Sequence, residues 1–136
     1  MKETVLLYNI NADKNRSIKK VLLLLGMRVK NVTEDMYEEK IGVLAGMLSK
    51  EEAQSTESLM EPDKVEITEK IVPFTEEMLV MCGFSNERVD RFLTEMRKKK
   101  VEKIDLKAVL TPYNALWNSY ELYRKLKKEH KMMHGE

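Results

Sequence analysis

The run Val5-Leu6-Leu7-Tyr8-Asn9-Ile10-Asn11, followed by Ile18, Val21, Leu22 and Leu25 and then by Gly26, decides how the chain is read. Its first part is rich in aliphatic, β-branched and aromatic residues, as a short strand is, and Asn11 is a good helix N-cap. The four apolar residues after it stand at i, i+3, i+4 and i+7, so they share one face of a helix. Gly26 ends that helix, because it takes the left-handed conformation beyond a helix end without a Cβ clash. Met27, Val29 and Val32 make a second strand up to Thr33. Thr33 or Asp35 then caps a second helix, in which Ile41, Leu44, Ala45 and Leu48 repeat the spacing. Residues 1–48 thus read as a β-α-β-α half-unit.

The same order returns in residues 74–136. Met78-Leu79-Val80-Met81-Cys82-Gly83-Phe84 is the nearly continuous apolar run of a strand covered on both faces. Ser85 caps a helix carrying Val89, Phe92, Leu93 and Met96, with cations Arg97 to Lys100 at the end where the helix dipole favours them. Ile104, Leu106, Ala108 and Leu110 alternate as a strand, and Pro112 opens a last helix through Ala115, Ser119, Leu122 and Leu126. An offset of 78 residues lays Thr33 on Thr111, Leu44 on Leu122 and Leu48 on Leu126, the mark of an internal pseudo-repeat. Between the halves, residues 49–73 form an acidic linker, with an edge strand expected at Val65, Ile67 and Ile71.

Two strands alone make no stable sheet, so both halves are expected to share one core as a single domain, 1–136. The fold class is α/β: two β-α-β-α half-units on one small, mostly parallel four-stranded sheet. A ferredoxin-like α+β arrangement, with helices on one face only, is the alternative. In the parallel sheet all strand C-termini would meet on one edge, at Asn9 to Asn11, Thr33, Cys82 to Ser85 and Thr111 to Asn114, where such sheets bind ligands.

Composition narrows the setting. Of 136 residues, 43% are hydrophobic and 35% charged, the balance of a globular protein rather than a disordered one. No apolar run approaches the roughly 20 residues of a membrane span, and the N-terminus enters a strand directly, so a cytoplasmic protein with no membrane partner is expected. One cysteine, Cys82, excludes an internal disulfide and a cysteine-based zinc cage. The net charge of +1 conceals an acidic front and a basic last third.

Few residues announce chemistry. Gly83-Phe84-Ser85 joins a strand to a helix N-terminus, but no dinucleotide or P-loop pattern is present. Cys82 lies at the same junction among apolar neighbours and reads as a buried thiol. His130 and His134 are four apart without an intervening glutamate, so neither a metal site nor any cofactor is expected. Arg97 to Lys100 and Arg124 to Lys128 are basic clusters that read chiefly as solvated helix ends, which leaves nucleic acid as the lesser partner. Tyr120 and Tyr123 stand at a spacing more typical of packing than of base stacking.

Thr111-Pro112-Tyr113-Asn114-Ala115-Leu116-Trp117 is the segment with most character. Its threonine ends a strand, its proline sets a turn, and its asparagine can bond local backbone. As a ligand site it would offer Thr111, Asn114 and Ser85 as polar contacts and Tyr113 and Trp117 as walls. With Met78 to Ser85, Arg97 and Glu129-His130, this segment resembles the bacterial family named domain of unknown function 3783. That family has a hydrophobic strand, a helix with an arginine near its end, a strand ending T-P-x-N-x-x-W, and a charged helix ending in Glu-His. The resemblance covers the C-terminal half, while the N-terminal half is similar to the region preceding that domain. It implies no activity, and it favours treating Thr111, Asn114 and Trp117 as a unit.

With no acid-base-nucleophile set, the expectation is a non-enzymatic interaction or regulatory domain whose partner is a second copy or another protein. The alternative is a small-ligand or nucleotide-binding domain with its site around Thr111 to Trp117.

Overall fold

The computed structural model describes residues 2–49, 51–52 and 73–133. Its strands are β1 (Thr4–Tyr8), β2 (Arg28–Val32), β3 (Met78–Cys82) and β4 (Leu106–Val109). Its helices are α1 (Ala12–Leu25), α2 (Ile41–Leu44), α3 (Asn86–Lys98) and α4 (Ser119–Met133), with 3-10 turns at Glu34–Met36 and Asn114–Leu116. The strands form one sheet in the order β2-β1-β3-β4. Central β1 and β3 are buried at every residue, as their apolar composition requires.

Alternation along the strands divides the core in two. Val5, Leu7, Leu79 and Met81 face α1 and α3, meeting Ile18, Leu22, Phe92 and Met96. Leu6, Tyr8, Met78 and Val80 face the other way, onto Tyr37, Ile41, Tyr120 and Leu122. Both faces are covered, which is the α/β layering and not the one-faced α+β alternative. On the second face Phe74 is stacked between Tyr37, 4.7 Å away, and Tyr123, 4.2 Å away, while Tyr120 meets Tyr37 edge-on.

The sheet departs from the expected strand directions at its centre. Each β-α-β unit gives a parallel pair, β1 with β2 and β3 with β4, but β1 and β3 are antiparallel, with Leu6 opposite Val80. The four strand C-termini therefore do not share an edge: Asn9 and Thr33 lie at one end of the sheet, Ser85 and Thr111 at the other. The crossover rule governs direction only inside a unit, and between units the antiparallel pairing, slightly the more stable per residue, is open to two apolar strands.

Two helices also differ from expectation. The one expected after Thr33 is a 3-10 turn, a break and a single turn, because Lys40 is extended (ψ 136°) and bridges to Asn118. Ile41 N–H then donates to Trp117 O at 2.9 Å. The last helix starts at Ser119 rather than at Pro112, since Trp117 is extended (ψ 154°). Asn118 and Glu121 cap its start reciprocally, side chain to backbone, at 3.0 and 3.3 Å. The edge strand expected at Val65, Ile67 and Ile71 falls outside the described residues, as does most of the acidic linker.

An antiparallel centre gives the sheet a pseudo-twofold axis along its normal, and local detail obeys it. Asn11 and Ser85, 74 residues apart, each cap a helix by accepting from the amide three residues on. Asn9 and Gly83 share a left-handed backbone, with φ of 57° and 78°, and so do Gly26 and Lys100, with 70° and 56°. Lys14 reaches Glu77 at 2.8 Å, and Arg88 reaches Glu3 at the same distance, again at an offset of 74. From the second strand of each half onward the offset is 78, as Arg28 and Leu106 show by pairing with Thr4 and Met78, and this sets Lys40 against its own counterpart Asn118.

Candidate functional site

The residues of the T-P-x-N-x-x-W segment are held together, but by bonds to one another. Thr111 N–H donates to Asn114 Oδ1 at 2.8 Å, and Asn114 N–H donates to Thr111 Oγ1 at 3.1 Å. Asn114 Nδ2 donates to Val109 O at 3.0 Å, so this buried amide is satisfied from the end of β4. The ring closes the passage from strand to 3-10 turn in the manner of a capped helix start. Trp117 is half-buried against the aromatic core, and its carbonyl accepts from Ile41. Tyr113 is 73% exposed and walls nothing in concert with Trp117. Ser85 lies at the same end of the sheet, where its hydroxyl accepts from Arg88 N–H at 3.3 Å as the cap of α3.

Cys82 is fully buried at the end of β3, its thiol directed at Val80 O at 3.8 Å. Burial pushes that thiol up to about 12, so it is protonated at neutral pH and out of reach of a substrate. Tyr8, its neighbour across the core, is likewise pushed well above the ordinary tyrosine value by burial, against the Ser119 hydroxyl 2.8 Å away. His130 lies in the last turn of α4, and His134 lies outside the described residues. Among the described residues no group of three or more His, Cys, Asp or Glu could hold a metal ion, and no helix is long and apolar enough to cross a membrane.

A concave feature lies at the opposite end, at the Asn9 to Asn11 and Thr33 strand ends that the sequence pattern placed on one ligand-binding edge with Ser85 and Thr111. An open crevice of about 330 Å³ is bordered by Asn9 and Ile10 after β1, by Asn31, Thr33 and Glu34 around the end of β2, and by Tyr37. It exists because β1 leads to α1 on one face of the sheet and β2 leads to the 3-10 turn on the other, so the chain parts between them. Asn9 is fixed on its rim: Nδ2 donates to Phe74 O and Glu76 O at 2.9 and 3.0 Å, and Oδ1 accepts from Tyr37 Oη at 3.3 Å. Asn15 Nδ2 donates to Asn31 Oδ1 at 2.6 Å, and Thr33 bonds Asp35. The 78-residue offset pairing Thr33 with Thr111 marks this junction as the counterpart of the Thr111 segment in the other half.

Charge is sorted at this end too. Glu34, Asp35, Glu38 and Glu39 follow β2 on one edge of the sheet. Arg97 to Lys100 and Lys103 lead into β4 on the other edge, which starts where β1 and β2 finish. Lys107 records the crowding: burial lowers its ammonium, and Lys103 and Arg97 lower it further, against Asp105. Between the edges Glu76 is bonded by Tyr123 and by Lys127, and the Tyr123 bond holds its carboxyl below the usual range.

No curated protein and no solved structure matches the chain. The C-terminal half does match a family model, and it covers β3, α3, β4 and α4 together with the Thr111 to Trp117 segment. Residues 77–133 match the family described as Domain of unknown function (DUF3783).

Proposed function

We propose that this chain is a non-enzymatic interaction domain of the bacterial cytoplasm, regulatory in that it acts by engaging another protein or a second copy of itself. The observation that carries this reading is the sorted charge: carboxylates on the β2 edge and cations on the β4 edge at one end of the sheet. Such a field steers encounter and fixes orientation more than it adds affinity. A free, buried thiol fits a reducing compartment. Size-exclusion with light scattering, at low and high salt, tests it together with the Glu34→Lys/Glu38→Lys variant. Assembly that weakens with salt and in the variant supports the reading; a monomer that retains nothing from lysate at either salt overturns it.

The second reading, a small-ligand domain, moves to the crevice between β1 and β2, because Thr111, Asn114 and Ser85 are engaged in local bonds. A metabolite screen by thermal shift tests it: a ligand whose shift disappears in Glu34→Gln supports it, and an empty screen counts against it.

A further inference from the structure

Arg16, Lys19, Lys20, Leu23 and Leu24 fall at i, i+3, i+4, i+7 and i+8, a continuous stripe on the side of α1 that faces away from the sheet. Leu23 is 83% exposed and Leu24 62%. Lys19 and Lys20 are exposed and have no ion-pair partner among the described residues. Arg16 is paired with Asp13 one turn earlier.

Single exposed leucines are ordinary, so the question is whether the fold requires this pair. The pseudo-twofold answers it from within the same molecule. At an offset of 74, Ile18 and Leu22 correspond to Phe92 and Met96, buried in both halves. Leu23 and Leu24 correspond to Arg97 and Lys98, both exposed on α3. The same turn of the same element therefore accepts two cations, and the apolar character of Leu23 and Leu24 serves neither the core nor the helix.

We propose that this stripe docks an acidic amphipathic helix of another protein, its apolar residues on Leu23 and Leu24 and its carboxylates on Lys19 and Lys20. The proposal rests on the interaction reading above and names the partner's chemistry. Charge selects the occupant, since the cations beside the leucines lack carboxylates of their own. A second copy fits less well: a twofold contact centred on the leucines, which stand between Lys20 and Arg28, would bring Lys20 of each copy toward Arg28 of the other, and both are exposed cations. Helix-on-helix docking with leucine anchors and a charged margin is a common recognition mode.

The test selects random displayed peptides, long enough for several helical turns, on the intact chain, and then titrates the synthesised consensus. The expected consensus has acidic residues and an apolar pair three or four apart. Its dissociation constant should rise by about tenfold or more in Leu23→Ser/Leu24→Ser and in Lys19→Glu/Lys20→Glu. Arg97→Ala/Lys98→Ala, the matched change on α3, should move it by less than about twofold. All three variants alter exposed side chains, so unchanged melting shows that the fold is intact. Absence of enrichment, a consensus without acidic residues, or binding indifferent to the leucines overturns the proposal. So does a dimer dissolved by the leucine change, which assigns the stripe to a second copy, or leucine-dependent sedimentation with phosphatidylserine vesicles, which assigns it to lipid. If the proposal fails while salt-sensitive assembly persists in the leucine variant, the interaction reading survives; if that assembly is also missing, both fall.

Discussion

Lys14 and Arg88 occupy the same place in the two halves, and each reaches into the half to which it does not belong. Lys14 Nζ bonds Glu77 and approaches Lys103 O at 3.5 Å, while Arg88 bonds Glu3 and donates to Leu25 O at 2.7 Å. Each cation ties the other half's leading carboxylate to its helix-to-strand turn, so the two contacts act as a matched pair of clamps. Lys14 is the more enclosed, its side chain 7% exposed against 33% for Glu77.

That asymmetry orders the effects of substitution. Glu77→Ala leaves a buried ammonium without its carboxylate and should cost about 2–3 kcal/mol, whereas Lys14→Met leaves a carboxylate that water can reach and should cost about 1–2 kcal/mol. Urea midpoints at neutral pH measure both. A larger loss for Lys14→Met would contradict the clamp as described.

Gly26 and Lys100 end equivalent helices with the same positive φ, but only glycine adopts it without strain. Lys100→Gly should therefore stabilise the protein by about 0.5–1 kcal/mol, and Gly26→Ala should destabilise it by about 1 kcal/mol. Opposite signs in thermal melts are the expected result.

The bond between Tyr8 Oη and Ser119 Oγ links the end of β1 to the start of α4, with both residues fully buried. Tyr8→Phe leaves Ser119 without that partner and should cost about 1–2 kcal/mol. Combined with Ser119→Ala, the loss should fall short of the sum, as calorimetry or urea unfolding would show.

Alkaline pH should unfold the protein earlier than its exposed groups require. Cys82 has its folded value raised to about 12 from an ordinary 9.0, and Tyr8 is raised as well, in both cases by burial. Raised values mean that the stability held by the neutral forms is complete below the unfolded values and is lost as pH climbs toward the folded ones. Cys82→Ala should flatten the decline above about pH 9 while lowering stability at neutral pH through its small cavity. Native Cys82 should react with a thiol reagent only at the rate of unfolding; prompt labelling would refute the buried assignment.

Asn114→Ala removes a buried amide that bonds Thr111 and Val109. A loss of about 1–2 kcal/mol is expected. Because the effect lies in the fold, it should appear in melting temperature without change in any binding property once the variant is folded.

Elements with strong periodicity were legible in the chain alone. Ile18, Val21, Leu22 and Leu25 predict α1, Val89, Phe92 and Met96 predict α3, and the caps Asn11 and Ser85 stand where the residue types place them. What could not be read depends on contacts distant in sequence. The apolar residues of β1 and β3 show that both are central but carry no mark of relative direction. Trp117 looks like part of a helix until Ile41 and Lys40 from the other half pull its backbone straight. For the candidate site, Thr111 and Asn114 were legible as a unit because their bonds are local. Asn9 and Thr33 were legible as strand ends on a ligand-binding edge, but their separation from Ser85 and Thr111 was not, because the antiparallel centre that splits that edge leaves no mark in the chain.

The pseudo-twofold also bears on how the halves are joined. Ile41–Leu44 and its counterpart at 119–122 are the last equivalent turns, so a route from Leu44 to the start of the second half has a symmetry mate running from Leu122 to the start of the first. The two orders of connection differ by the part of α4 that continues beyond Leu122, and closure entropy changes slowly with loop length. The sheet itself therefore does not dictate which half comes first along the chain, and a permuted chain with residues 74–133 leading and 2–49 following, given a linker long enough to return from the end of α4, is expected to form the same sheet.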